Sequence, residues 1–150
     1  MDRKEKLAML QGLSENELTQ KFLITLYESM GCKNVRYTHG KSEFGRDIIY
    51  YKDDEYGNRI YTGVQVKKTR IMTRDVANIF SQIHEAFAEP FTDLSDGKKK
   101  DLDRLVVLTS NEFLEEAKDA LFNSLRGARL DKNVTFIDGN QLLAFLERYF

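Results

Sequence analysis

The sequence predicts an α/β domain in which a mixed β-sheet carries helices on its faces. Three observations lead there. Residues 47–68 hold two runs rich in β-branched and aromatic side chains, DIIYYK and RIYTGVQVKK, separated by a turn-forming stretch, the pattern of a β-hairpin. After residue 73, stretches of helical period alternate with short apolar runs, as β-α-β crossovers do. A capped helix and a short strand precede the hairpin, so the order reads α-β-β-β-α-β-α-β-α.

The first helix starts at Ser14, because Ser14-x-x-Glu17 has the form of a capping box and Leu18, Phe22, Leu23, Leu26 and Met30 follow at helical spacing. Gly31 ends it. On a uniform helical wheel Glu17, Gln20, Ile24 and Tyr27 form a second stripe. A short strand is expected over 34–38, followed by a polar loop from His39 to Phe44. The hairpin closes most simply through a three-residue loop, Glu55-Tyr56-Gly57, with the glycine left-handed. That register sets Asp47 opposite Gln65, with Lys67 two residues on along the same face. Thr73 is the expected cap of a helix reaching about residue 89, with Val76, Ile79, Phe80, Ile83 and Phe87 on its buried side. Leu105–Leu108 is an apolar strand, Ser110 or Asn111 opens a helix to about residue 125, and Val134–Ile137 is another strand. Asp138-Gly139 makes a turn, and Asn140 caps a last helix containing Leu142, Leu143, Phe145 and Leu146.

Composition narrows the function. The chain's 150 residues suffice for one domain with a substantial core, and 17 aromatics (7 Tyr, 10 Phe) are too many for a disordered chain. No apolar run approaches the ~18 residues that cross a bilayer, and the charged N-terminus is not followed by a secretory apolar segment. Cys32 stands alone, which rules out an internal disulfide and a cysteine-built zinc site. The expectation is a cytoplasmic protein without a membrane partner. A net charge of -1 argues against coating nucleic acid through bulk electrostatics, but leaves room for local contacts beside a metal-holding acid.

The residues able to carry chemistry are Asp47, Gln65 and Lys67, with Glu17 or Gln20 supplied by the first helix. An acid facing an oxygen-bearing side chain on the next strand suits a hard cation such as Mg²⁺. Such a cation polarises a phosphodiester and acidifies water. Lys67 is suited to hold the attacking water or to neutralise charge building on the phosphate. Gln65 brings an oxygen without a charge, so a second acid is wanted, and Glu17 is the candidate.

Asp47…Gln65-Val66-Lys67, after a helix ending Ser29-Met30-Gly31, resembles the PD-(D/E)xK restriction-endonuclease-like superfamily. The resemblance is strongest to its Mrr-type branch, where the last motif commonly reads Gln-x-Lys. Glu43-Phe44-Gly45-Arg46 resembles that branch's glycine-containing approach to the aspartate, and Val106–Thr109, Ala117 and Phe136–Leu142 resemble its tail. The resemblance implies an αβββαβ core with a mixed central sheet flanked by helices, here extended by a further α-β-α. It implies a Mg²⁺- or Mn²⁺-dependent endonuclease acting on double-stranded DNA, in bacterial restriction or antiphage defence. Carried across, Asp47 is the central metal ligand, Gln65 the second, the Val66 backbone carbonyl a further one, and Lys67 the catalytic lysine. Two departures stand out. Arg46 replaces the usual proline before Asp47, and the helix-acid spacing falls near Gln20 while Glu17 lies one turn earlier. Cutting both strands implies a homodimer or paired action. Residues 1–150 are expected to form this one domain, alone or within a longer protein.

Each residue also has a plainer reading. Asp47 can satisfy backbone amides, and Glu17 is explained by the capping box alone. Lys68, Arg70 and Arg74 carry positive charge from the active-site strand toward the next helix and suit phosphate contacts, or else form a solvated loop. Lys41 lies in a loop able to reach a DNA groove, beside His39, which reads as an exposed loop residue. Lys98–Lys100 reads as a soluble loop and His84 as structural. No phosphate-binding glycine loop, Ser-His-Asp set or HExxH helix is present. The alternative to an enzyme is an inactive nuclease-fold module for DNA binding or protein interaction. RNA in place of DNA stays open as substrate.

Overall fold

The computed structural model describes residues 1–38 and 44–150, so the expected DNA contact Lys41 and the neighbouring His39 and Glu43 lie outside the described residues. Periodicity in the sequence missed the first helix, α1 (Arg3–Gly12), which Asp2 caps by accepting the Glu5 amide at 2.8 Å. Tertiary contacts hold it: Arg3 and Lys6 pair with Glu147 of the last helix at 2.7 and 3.3 Å.

The capping box at Ser14 forms as expected, with reciprocal Ser14–Glu17 bonds of 3.1 Å. The helix it opens is not uniform. It runs as α2 (Glu15–Leu18), a π-helical turn (Thr19–Leu23) and α3 (Ile24–Ser29), and Gly31 at φ +86° follows. In the π-turn the Ile24 amide donates to the Thr19 carbonyl, five residues back, which adds one residue to that turn. The wheel therefore slips. The stripe that includes Ile24 and Tyr27 continues upstream through Thr19 and Glu15; Glu15, Glu17 and Gln20 are all exposed.

The central sheet has the order β1-β2-β3-β6-β7, built from β1 (Lys33–Tyr37), β2 (Ile48–Asp53), β3 (Arg59–Lys67), β6 (Arg104–Thr109) and β7 (Val134–Ile137). The first three strands are antiparallel, and β6 and β7 join β3 in parallel. The hairpin has the expected register, from Asp53↔Arg59 to Ile48↔Val64, and Gly57 at φ +83° closes its loop. The Asp54 carboxylate accepts from the Tyr56 and Asn58 amides and rigidifies that turn.

Crossover helices α4 (Val76–Ala88) and α5 (Glu115–Gly127) cover one face of the sheet. The α2–α3 segment and α6 (Gly139–Tyr149) cover the other. Because β3 lies centrally, Tyr61–Val66 is buried on both faces, with odd-numbered side chains toward α4 and Val64 and Val66 toward α3 and α6. Among the described residues no helix is long and apolar enough to cross a membrane.

Three helix starts differ from expectation. Residues 73–75 form a 3-10 turn ahead of α4, and Asp75, not Thr73, takes the Met72 amide at 2.8 Å. Helix α5 begins at Glu115 because residues 112–114 pair with Ile71 instead: the Ile71 amide bonds Glu112 O, and the Leu114 amide bonds Ile71 O. Asp138, not Asn140, caps α6 through a capping box with Gln141. A two-stranded hairpin also forms between β4 (Phe91–Thr92) and β5 (Lys99–Lys100), so part of the expected basic loop is strand.

Candidate active site

The site grows from the point where β2 enters the sheet. Asp47 stands one residue before that strand; its amide donates to Val64 O at 2.7 Å and its carbonyl accepts from the Thr38 amide at 2.9 Å. The carboxylate Oδ2 then accepts the Val66 amide at 2.7 Å, so the side chain does what a ladder carbonyl would do further along. The paired register ends at Ile48↔Val64, one residue short of the expected Asp47–Gln65 pair; the Asp47 amide and carboxylate instead reach Val64 and Val66, on either side of Gln65. The bond to Val66 is also the plain structural use foreseen for this acid.

Gln65 is 4% exposed. Its Nε2 donates to Gly45 O at 3.2 Å, while its Oε1 is buried with no hydrogen-bond partner among the described residues. A buried acceptor left open costs on the order of 1–3 kcal/mol, so its persistence in a packed strand points to a ligand. Gly45 permits the approach: at φ +76°, a Cβ there would meet Gln65 Nε2 at 3.0 Å and Gln82 O at 3.1 Å.

Lys67 is half-buried and donates from Nζ to Gln82 Oε1 of α4 at 2.9 Å. Burial pushes its ammonium below the ordinary lysine value, and the negative fields of Glu15, Asp47 and Asp75 oppose that shift. Glu15 and Gln82 are the residues that the spacing argument overlooked. Glu15 belongs to the slipped stripe that only the π-turn reveals, and Gln82 is simply a polar position between Ile79 and Ile83.

Glu17, the helix acid expected from the sequence, is engaged elsewhere. The Ser14 backbone amide, then its hydroxyl-side contacts and Lys21 at 3.7 Å, hold its carboxyl below the usual range. Gln20 is exposed. Lys68, Arg70 and Arg74 are all exposed between β3 and α4; Arg70 pairs with Glu112 at 2.9 Å, while Lys68 and Arg74 make no ion pair among the described residues. His84 is exposed and meets Phe80 edge-on at 4.7 Å.

Among the described residues no group of three or more His, Cys, Asp or Glu lies close enough to share a cation. A cation here would therefore rest on a mixed oxygen set: the Asp47 carboxylate, the open Gln65 Oε1 and the Val66 carbonyl. Such hard donors fit Mg²⁺ or Mn²⁺, which keep waters for the remaining positions.

A family model described as restriction endonuclease, of the Mrr type, matches residues 11–146. No curated protein and no solved structure matches the chain.

Proposed function

The chain belongs to the Mrr-type restriction endonuclease family, and from that premise we propose that it is a Mg²⁺- or Mn²⁺-dependent endonuclease that hydrolyses double-stranded DNA. The observation that carries the proposal is the buried Gln65 Oε1, without a hydrogen-bond partner among the described residues, between the Val64 and Val66 backbone groups that bond Asp47, with Lys67 two residues on along β3. Asp47, Gln65 Oε1 and the Val66 carbonyl would hold the cation. When bound, it supplies Lewis-acid polarisation of the phosphodiester and a lowered pKa for water.

The chain's own residues do the rest. Lys67 keeps two N–H donors after its bond to Gln82, and these meet the charge that develops on the phosphate oxygens or orient the attacking water. The Gln65 amide, anchored through Nε2, keeps its oxygen facing inward without a reorganisation cost. From the first helix, the negative field at Lys67 favours Glu15 over Glu17 as the supporting acid. Lys68 and Arg74, exposed beside the strand, are suited to phosphate contacts. Restriction or antiphage defence in the cytoplasm is the setting that the family suggests, and cutting both strands calls for two copies or two visits.

The test is cleavage of supercoiled plasmid in Mg²⁺ and then Mn²⁺, with wild type beside Asp47→Ala and Lys67→Ala. Nicking or linearisation by wild type, lost in both variants, is expected. A wild type that cuts in neither metal and binds Mn²⁺ no better than Asp47→Ala would overturn the proposal. The uncharged Gln65 would then mark a nuclease-fold module that binds DNA or protein without cutting.

A further inference from the structure

Arg46, immediately before Asp47, is only 3% exposed, a rare state for a guanidinium. Its Nη1 donates to Ala86 O, in the last turn of α4, at 3.2 Å and to Glu89 O, just past the end of that helix. A carbonyl in the last turn of a helix lacks an intrahelical partner and lies at the negative end of the helix dipole, so the buried cation finds acceptors and a favourable field there. The rings of Phe44 and Phe91 lie 5.6 and 5.8 Å from the guanidinium carbon. On the backbone side, Arg46 O accepts from the Thr38 hydroxyl. The same helix presents Gln82 to Lys67, one turn before Ala86.

We propose that Arg46 is a positioning residue: by clamping the turn before β2 onto the C-terminus of α4, it holds the Asp47 carboxylate at a fixed distance from Lys67, which α4 holds through Gln82. Asp47 lies one residue beyond the last β2–β3 pair, so the ladder leaves its turn to take its place from the helix. A flexible turn would let the Asp47 carboxylate swing off the Val66 amide.

A simple helix-capping role would stabilise the whole domain, whereas positioning acts on Asp47, so the two separate at the Val66 amide. In Arg46→Met, hydrogen exchange at Val66 is expected to quicken about ten-fold relative to Leu105 of β6, whose amide bonds Asn133 O. Equal acceleration at Val66 and Leu105, or none at either, overturns the inference. If Arg46→Met fails to reach wild-type helicity, Arg46→Lys is measured under the same criterion. The kinetic arm rests on the endonuclease reading: kcat for plasmid cleavage falls roughly ten- to a hundred-fold while KM for DNA changes less than two-fold. A wild type that cuts no DNA would sink the endonuclease reading yet leave the exchange result decisive. An active wild type with an unchanged kcat in the folded variant sinks the positioning role.

Discussion

Gln65, between the two residues that bond Asp47, brings an oxygen without the charge that a carboxylate would add. In the absence of metal, Gln65→Glu buries a second negative charge near Asp47 and is expected to cost about 2 kcal/mol or more. Mg²⁺ should recover that loss and raise the variant's Tm more than the wild type's, as ligand binding to the folded state requires. Thermal melts in chelator and in Mg²⁺ check this; an equal Tm deficit in both removes Gln65 from the cation site. For the helix acid, Glu15→Gln is expected to lower cleavage more than ten-fold, while Glu17→Gln stays within two-fold, since a glutamine there still completes the capping box. The reverse ranking would return the role to Glu17. Away from the site, the Tyr61 hydroxyl, then Ser95 and Arg59, hold the buried Asp93 carboxyl well below its ordinary value of 3.8. Because the folded pKa is depressed, Asp93 contributes its full stabilisation above that value and loses it as pH falls toward the folded pKa. The stability gap between wild type and Asp93→Asn, read from urea titrations, should therefore be widest near neutral pH, about 2 kcal/mol, and narrow as pH falls below ~3.8.

At the scale of elements, the decisive departure from regularity is the π-turn at Thr19–Leu23, which rotates Glu15 onto the stripe of Ile24 and Tyr27. The Thr19 hydroxyl donates to Glu15 O at 2.7 Å and its side chain is buried, so the slip is locked by packing and by a local bond. Helix starts obeyed the same logic of competition. Asp138 captured the α6 cap because Gly139 lets the chain pass the β6 exit, where a Cβ would come within 2.2 Å of Ser110 O. Gly139→Ala would force that backbone contact apart and is expected to destabilise the fold by more than about 3 kcal/mol in urea titration. Asp138→Ala, which removes only the cap, should cost about 1 kcal/mol in the same measurement. Similar losses for the two variants would mean that the β6 exit relaxes freely.

Across the whole molecule, the sheet separates two cores, and α4 belongs to both the packing and the chemistry: Ile79, Ile83 and Ala86 fill the core while Gln82 and the Ala86 and Glu89 carbonyls face the site residues. Stability and activity are coupled through this helix. Ile83, fully buried, should cost about 2–5 kcal/mol as Ile83→Ala and lower cleavage through α4, although its side chain touches no reacting group. Cutting both strands, as proposed, would require two copies or two visits. Nicked circles should dominate at low protein concentration and linear product should rise more than in proportion as concentration increases, as agarose gels would show; strict proportionality would argue for one copy acting in two visits.

Much of this was legible before any coordinates. The hairpin register followed from alternation and from Gly57, because a period of two and a three-residue turn leave a single way to bury Ile48 and Val64 together. The Ser14 capping box and the family-like run Asp47…Gln65-Val66-Lys67 were equally local and equally readable. Tertiary structure alone decided what depends on competition between distant groups. Glu147 gave α1 its partner, Ile71 delayed α5 by pairing with residues 112–114, and the π-turn at 19–23 shifted the stripe of Ile24 and Tyr27 from Glu17 to Glu15. Arg46 makes the same point at a single residue: next to Asp47 in sequence it reads as one more cation, and only the arrival of the carbonyls at and just past the end of α4, some 40 residues downstream, makes its burial tolerable.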